Sequence, residues 1–172
     1  MKLLKILKEV ITETGDTTNV KTYDTSQKMH DAVNQYSEVN AVYFNTESKT
    51  RYYIILDKID HKQDNNWTMT VEFAAKTLGN TKFNSKAVVN KGELYRVMAT
   101  VIKEILTELK ESEEKGQHIA EIVIEPSKNS EHDERRANLY LAYIETNLQK
   151  MLPAGSEVTH SADKEKIQIL IP

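Results

Sequence analysis

The feature that most constrains this chain is a run of apolar residues at helical spacing that feeds into a short apolar strand. Leu94, Val97, Met98, Val101, Ile102, Ile105, Leu106 and Leu109 recur at i, i+3, i+4 and i+7, which a 3.6-residue period gathers on one face. Glu93, Arg96, Lys103, Glu104, Glu108, Lys110 and Glu111 fall on the other. Both ends are written locally. Asn90 with Glu93 three residues on forms a capping box, and Gly116 behind Glu113, Glu114 and Lys115 marks the stop. Burying these side chains at about 1.5–3 kcal/mol each is worth about 12–24 kcal/mol gross, and ordering the backbone costs a similar amount. Such a helix exists only when docked. Ile119-Ala120-Glu121-Ile122-Val123-Ile124 predicts the dock, a β-branched strand buried on both faces of a sheet.

Ahead of that pair, Asn40 to Thr46, Arg51 to Ile59 and Trp67 to Ala75 read as strands separated by short polar turns, an antiparallel meander. Trp67, Met69, Val71, Phe73 and Ala75 alternate with Thr68, Thr70 and Glu72, so one face is buried. Ile54-Ile55-Leu56 predicts a middle strand covered on both sides. Behind the pair, Ala137, Tyr140, Leu141, Ile144, Leu148 and Met151 predict a second helix, capped by Ser130 or Asp133 and ended by Pro153-Ala154-Gly155. Ile167, Ile169 and Ile171 predict a closing strand. The first 38 residues read as a helical tether segment. Leu3, Leu4, Leu7 and Ile11 form a short amphipathic helix, and Met29, Ala32, Val33 and Tyr36 a second one after a cap at Asp24, Thr25 or Ser26. Residues 39–172 then form a single α/β domain of α+β type, its mixed sheet an antiparallel three-strand meander followed by helix, strand, helix, strand.

Composition removes function classes. The five glycines, Gly15, Gly79, Gly92, Gly116 and Gly155, are too dispersed for G-x-G-x-x-G, a Walker loop or G-x-S-x-G. The absence of cysteine excludes disulfides and thiolate chemistry. A net charge of −3 with both signs mixed offers no basic face for nucleic acid. No apolar stretch is long enough to span a membrane or act as a secretory signal. Asp57, Asp60, His61 and Asp64 are a cluster that oxygen-ligated cations can use, but a solvated turn explains them as well. His30, His118 and His160 lack zinc spacing, so no metal site is expected. Arg135-Arg136 beside Lys128 pairs with its acidic neighbours Glu131, Asp133 and Glu134.

The element order, together with Leu139-Tyr140 after an arginine-rich turn, resembles the GNAT-type N-acetyltransferase superfamily. The runs NKGELYRVMATVIKEIL and RRANLYLAYIE also resemble small proteins encoded by tailed phages. The first resemblance implies an acetyltransferase-like fold, with Tyr140 at the position of the general acid and Asn90, Lys91 and Gly92 in the turn that would hold the pyrophosphate of acetyl-CoA. The residues depart from it in that turn. Val88-Val89-Asn90-Lys91-Gly92-Glu93 has one glycine where several oriented amides are needed, and an acidic residue that repels phosphate. The expectation is therefore a non-catalytic phage-type protein on an acetyltransferase-like scaffold, without cofactor. It would act in virion assembly or protein–protein contact, with virion components or itself as partner, in the virion or host cytoplasm. The alternative is an active acyl-CoA-dependent N-acetyltransferase with an atypical loop.

Overall fold

The computed structural model describes residues 21–25, 27–34, 36–47, 49–61, 65–77, 91–126, 134–160 and 166–172, with the backbone path alone at 27–34, 74–77, 91–94, 126 and 134–140. These residues form an α+β fold. Its elements run β1 (Gln27–Asn34), β2 (Ser37–Asn45), β3 (Thr50–Asp60), β4 (Asn66–Thr77), α1 (Lys91–Glu114), β5 (His118–Pro126), α2 (Glu134–Leu148), β6 (Glu157–His160) and β7 (Ile167–Leu170). The seven strands make one mixed sheet in the order β1-β2-β3-β4-β5-β7-β6. β4 and β5 are parallel and every other neighbouring pair is antiparallel.

The meander β2-β3-β4, the long helix, the parallel strand, the second helix and the closing strand follow the sequence expectation. Lys49 sits at a φ of 59° in the β2–β3 turn, where the Lys49 N–H donates to the Thr46 carbonyl at 3.0 Å and the Thr46 N–H to the Thr50 carbonyl at 2.9 Å. At the end of α1, Gly116 takes a φ of 75°. Its N–H donates to Glu113 at 2.9 Å, and the Gln117 N–H reaches back to Ser112 at 2.8 Å. That pair of hydrogen bonds is a Schellman motif, and it fixes where Gln117 emerges.

Three expectations are corrected. Met29, Ala32, Val33 and Tyr36 carry helical spacing, yet 27–34 is a strand, and β1 pairs antiparallel with β2 from Gln27↔Tyr43 to Asn34↔Ser37. An edge strand rich in polar residues lacks the alternation that marks a half-buried one, and the helical spacing there is accidental. The sheet thus begins ahead of residue 39. The sequence predicts no strand at β6, because Glu157-Val158-Thr159-His160 has one apolar residue, yet it pairs with β7 at the opposite edge. Third, neither β3 nor β5 is covered on both faces. Ile55 and Ile59 are 38% and 49% exposed, and Glu121, Val123 and Glu125 of β5 are partly exposed. The amphipathic stretch at 2–12 lies outside the described residues.

The core occupies one side of the sheet. Val42 and Phe44 of β2, Tyr52, Ile54 and Leu56 of β3, Met69, Val71 and Phe73 of β4, Ile122 and Ile124 of β5, and Ile167 and Ile169 of β7 form one cluster. Val97, Met98, Val101, Ile102 and Ile105 of α1 and Leu141, Ile144 and Leu148 of α2 belong to it. Both helices therefore pack on the same face. They also touch each other, with the Tyr95 and Tyr143 rings 5.7 Å apart, and burial, reinforced by Tyr95, pushes the Tyr143 phenol up to about 12. Tyr23, ahead of the first strand, stacks on Phe44 at 5.1 Å, and Phe44 in turn on Tyr52 at 5.6 Å.

Ile102 is 3% exposed on the sheet-facing side of α1. Ile102→Ala should cost about 2–5 kcal/mol through lost transfer energy and a residual cavity. A change under roughly 0.5 kcal/mol in a denaturant titration, the range of surface substitutions, would mean that α1 faces elsewhere.

Candidate functional site

The pleat of β3 turns Tyr52, Ile54, Leu56 and Lys58 toward the helices. The first three join the core, and the fourth is a lysine whose side chain is fully buried. An ammonium taken out of water costs several kcal/mol unless paired and hydrogen-bonded. Here it is both. Lys58 Nζ lies 2.6 Å from Glu108 Oε1 and 3.3 Å from Glu38 Oε2, and donates to Ser112 Oγ at 3.1 Å and Gln117 Oε1 at 3.0 Å. Three N–H groups facing four oxygens leave the lysine no unused donor.

The four partners come from three parts of the fold. Glu38 is directly opposite Lys58 in the β2–β3 register, Glu108 and Ser112 are one turn apart on α1, and Gln117 is delivered by the Schellman turn. The partners also hold one another. Gln117 Nε2 donates to Glu38 Oε2 at 3.1 Å, Lys115 Nζ to Glu38 Oε1 at 3.1 Å, and Asn40 Nδ2 to Glu108 Oε1 at 2.9 Å. Burial alone would raise the Glu38 carboxyl. Hydrogen bonds from Gln117 and Lys115 and the charges of Lys58 and Lys115 outweigh it, and bring the group from 4.5 down to about 2. The bond to Glu38 raises Lys115 against its own partial burial.

The cluster is the lower end of a polar stripe along α1. Arg96, Thr100, Glu104, Glu108 and Ser112 recur every four residues, and the stripe above the cluster binds the chain entering the sheet. Glu104 accepts a hydrogen bond from Thr25 Oγ1. Thr100 Oγ1 accepts from the Tyr23 N–H at 3.0 Å and donates to the Arg96 carbonyl at 2.6 Å. Arg96 donates to the Lys21 carbonyl at 3.0 Å, stands 3.9 Å over the Tyr23 ring and pairs with Glu47. Tyr23 Oη donates to the same Glu47 carboxylate, and that bond, ahead of Arg96, lowers its pKa.

Beside the cluster, a pocket of about 490 Å³ is lined by Leu109, Glu113, Gln117, His118, Ile119 and Ile171 among others. Its lining is mostly apolar, and it shares Gln117 with the ion cluster. Among the described residues that line it, no nucleophile–base pair is assembled. Lys58 is saturated by carboxylates and amide oxygen, which suits anchoring rather than proton transfer or imine chemistry, where a free amine is required.

The residues named from sequence are distributed over the whole molecule. Asn90 lies outside the described residues. Lys91 and Gly92 open α1 and Tyr140 lies within α2, all three with their side chains outside the description, as are those of Arg135 and Arg136 in the first turn of α2. His61 Nε2 meets Thr68 Oγ1 at 2.6 Å, and Thr68 donates to Glu121 at 3.1 Å. Asp57 and Asp60 lie on β3, and Asp64 is outside the described residues. His160 pairs with Glu145 at 2.9 Å. Among the described residues no three His, Cys, Asp or Glu side chains converge as metal ligands, and no helix is long and apolar enough to cross a membrane.

The cluster itself was missed. Glu104 and Glu108 read as part of the solvated face, although they are 4% and 5% exposed. The usable signal was in β3, where Lys58 continues the Tyr52, Ile54, Leu56 alternation, a charge in a core position that requires a partner. Searches against protein-family models, curated proteins and solved structures return no match.

Removing Lys58 alone leaves two carboxylates buried together. Lys58→Met should cost about 3–5 kcal/mol, and adding Glu38→Leu and Glu108→Leu should recover most of it, because an apolar triad replaces a buried ionic one at little net cost. Guanidinium titrations of the single and triple variants decide it; equal losses in both would contradict the pairing. Acid unfolding gives a second check. The folded pKa of Glu38 lies below its ordinary value of 4.5, so the unfolded chain takes the proton first as pH falls. The stabilisation is complete above about pH 5 and is lost on the way down to about pH 2. Glu38→Gln should flatten that acid limb, and an unchanged limb would show that Glu38 is not held as described.

Proposed function

We propose that this chain is a non-catalytic protein that works by binding protein, with the face of its sheet turned away from α1 and α2 as the contact surface. The observation that carries the reading is the exposure of Ile55 and Ile59, 38% and 49%, on the interior strand β3. Register sets Ala41 beside Ile55, Val39 beside Asp57 and Ser37 beside Ile59 on the same face. Arg51 stands 4.7 Å over the Tyr43 ring at one end of it. On this face Asp57 lies between Ile55 and Ile59, and Arg51, Glu72 and Glu121 flank them, so exposed aliphatic side chains are interleaved with charged ones, a mixture that protein interfaces use. The saturation of Lys58 supports the non-catalytic half of the proposal, since the most deeply buried charge is spent on holding α1 to the sheet. The resemblance to small tailed-phage proteins is what supports virion assembly as the setting.

A second reading, an acyl-CoA-dependent N-acetyltransferase on an acetyltransferase-like scaffold, has one structural feature in its favour. β4 and β5 are parallel and joined through α1, and the crevice at the carboxyl ends of such strands is where α/β sheets take ligands. Against it stands the single glycine, Gly92, at the head of α1.

Two measurements separate the readings. Affinity capture from the native source with the intact chain should yield a protein partner that is lost with Ile55→Asp/Ile59→Asp and kept with Lys103→Glu, a change on the exposed side of α1. Retention by the β3 variant would exclude this face. Thermal-shift titration with millimolar acetyl-CoA should show no saturable stabilisation, whereas ligand at 100 times its Kd would add about 2.7 kcal/mol. A saturable shift abolished by Gly92→Val would favour the transferase.

A further inference from the structure

The face turned away from the helices carries two charges of opposite sign on one strand. Arg51 is fixed near the start of β3. Its Nε donates to Asn45 Oδ1 at 2.9 Å, and its guanidinium stands 4.7 Å over the Tyr43 ring, which lies 6.1 Å from the ring of Tyr53. Asp57 follows six residues later on the same face. Among the described residues, neither the two terminal amino groups of Arg51 nor the Asp57 carboxylate has a hydrogen-bond or ion-pair partner. Six residues of extended strand separate the two by about 20 Å, so they cannot meet within one chain. We propose that they meet between two chains: the outward face of β2 to β5 packs on the same face of a second copy, with Arg51 of each chain against Asp57 of the other. The inference rests on that face being the contact surface, and names its partner.

The register decides which packing is possible. The outward residues of β3 run Arg51, Tyr53, Ile55, Asp57, Ile59. Two identical sheets stacked with their strands aligned are related by a two-fold axis lying between them, along the strands or across them. An axis along β3 sets Arg51 on Arg51 and Asp57 on Asp57, which repel. An axis across the strands, between Tyr53 and Ile55, sets Arg51 over Asp57 and Tyr53 over Ile55, and does so twice, as a self-complementary interface requires. The same operation places Glu72, which is level with Ile55, over position 74 and away from any carboxylate, and the outward residues of β2 are uncharged. One symmetry therefore satisfies both lone charges of the face and covers Ile55 with an aromatic ring. The area is sufficient as well. β2, β3, β4 and β5 are 9, 11, 12 and 9 residues long, which at about 3.3 Å rise and about 4.8 Å spacing gives roughly 650 Å² of plan area. A stable complex buries about 800 Å² of accessible surface per partner, and a pleated surface exceeds its plan.

Sedimentation equilibrium of the intact chain should show a dimer whose dissociation constant rises with salt, because the ion pairs at its interface are screened. Arg51→Glu and Asp57→Arg each make both pairs repulsive and should weaken the dimer about tenfold or more, while Lys103→Glu, on the exposed side of α1, should leave it unchanged. Mixing the Arg51→Glu and Asp57→Arg chains should restore association, since both pairs of the heterodimer are again opposite in sign. Misfolding of either variant cannot produce that recovery. No recovery on mixing overturns the inference, as does a dimer indifferent to both substitutions or a chain still monomeric at near-millimolar concentration. A monomeric chain whose partner capture is nevertheless lost with Ile55→Asp/Ile59→Asp leaves the contact surface standing and removes only the second copy; capture that survives removes the surface too.

Discussion

Everything on the helix side of this sheet depends on the burial of one ammonium group. Lys58 has no solvent contact, so β2, α1 and the turn after α1 must all be in place before its charge is compensated. Glu38 arrives by strand register, Glu108 and Ser112 by helical phase, Gln117 by the left-handed Gly116. A slip of one residue in β2–β3 pairing, or a small rotation of α1, would strand the charge. Apolar contacts accommodate a small helix rotation at modest cost whereas a buried ion does not, and a one-residue slip would also turn the strand's inward side chains to the other face. The cluster therefore selects one arrangement of helix against sheet from among several that would bury similar apolar area. That is our account of why the α1 stripe carries charge at positions where apolar residues would pack.

Much of this architecture is legible in the chain because local and global signals agree. Leu94 to Leu109 has period, caps and length together, and Trp67 to Phe73 alternates without interruption, so α1 and β4 are where the pattern says. β1 and β6 are not legible, and for the same reason. Both are edge strands with polar or mixed faces, held by ladder hydrogen bonds to a neighbour that the sequence does not reveal. The ionic cluster is hidden differently. Whether Glu108 meets water or Lys58 depends on two elements separated by 50 positions in sequence, and the helical wheel of α1 by itself sorts any glutamate with the solvent. The inward alternation of β3 was the one local clue, and a reading that asks what a lysine does after Tyr52, Ile54 and Leu56 would find it.

The two faces of the sheet divide the labour of the molecule. One is committed to packing: its apolar residues, its aromatic row Tyr23, Phe44 and Tyr52, and its buried charges are all used internally. The other retains Val39, Ala41, Ile55 and Ile59 in a setting where solvated strands carry polar side chains. A scaffold so divided can present a surface without moving its core, since the network that fixes α1 lies on the opposite side of the backbone from Ile55. The pocket next to Gln117 opens on the committed side, and any ligand there would touch the ion cluster through that glutamine.

The central claim is that the Lys58 cluster is structural cement whose members act as a unit. A double-mutant cycle between Lys58→Met and Glu108→Gln, read by chemical denaturation at neutral pH, tests it most directly. The account predicts a coupling of about 1.5–3 kcal/mol, as for residues in one hydrogen-bonded network. Additivity within about 0.5 kcal/mol would contradict it, and would mean that α1 is held to the sheet by its apolar face alone.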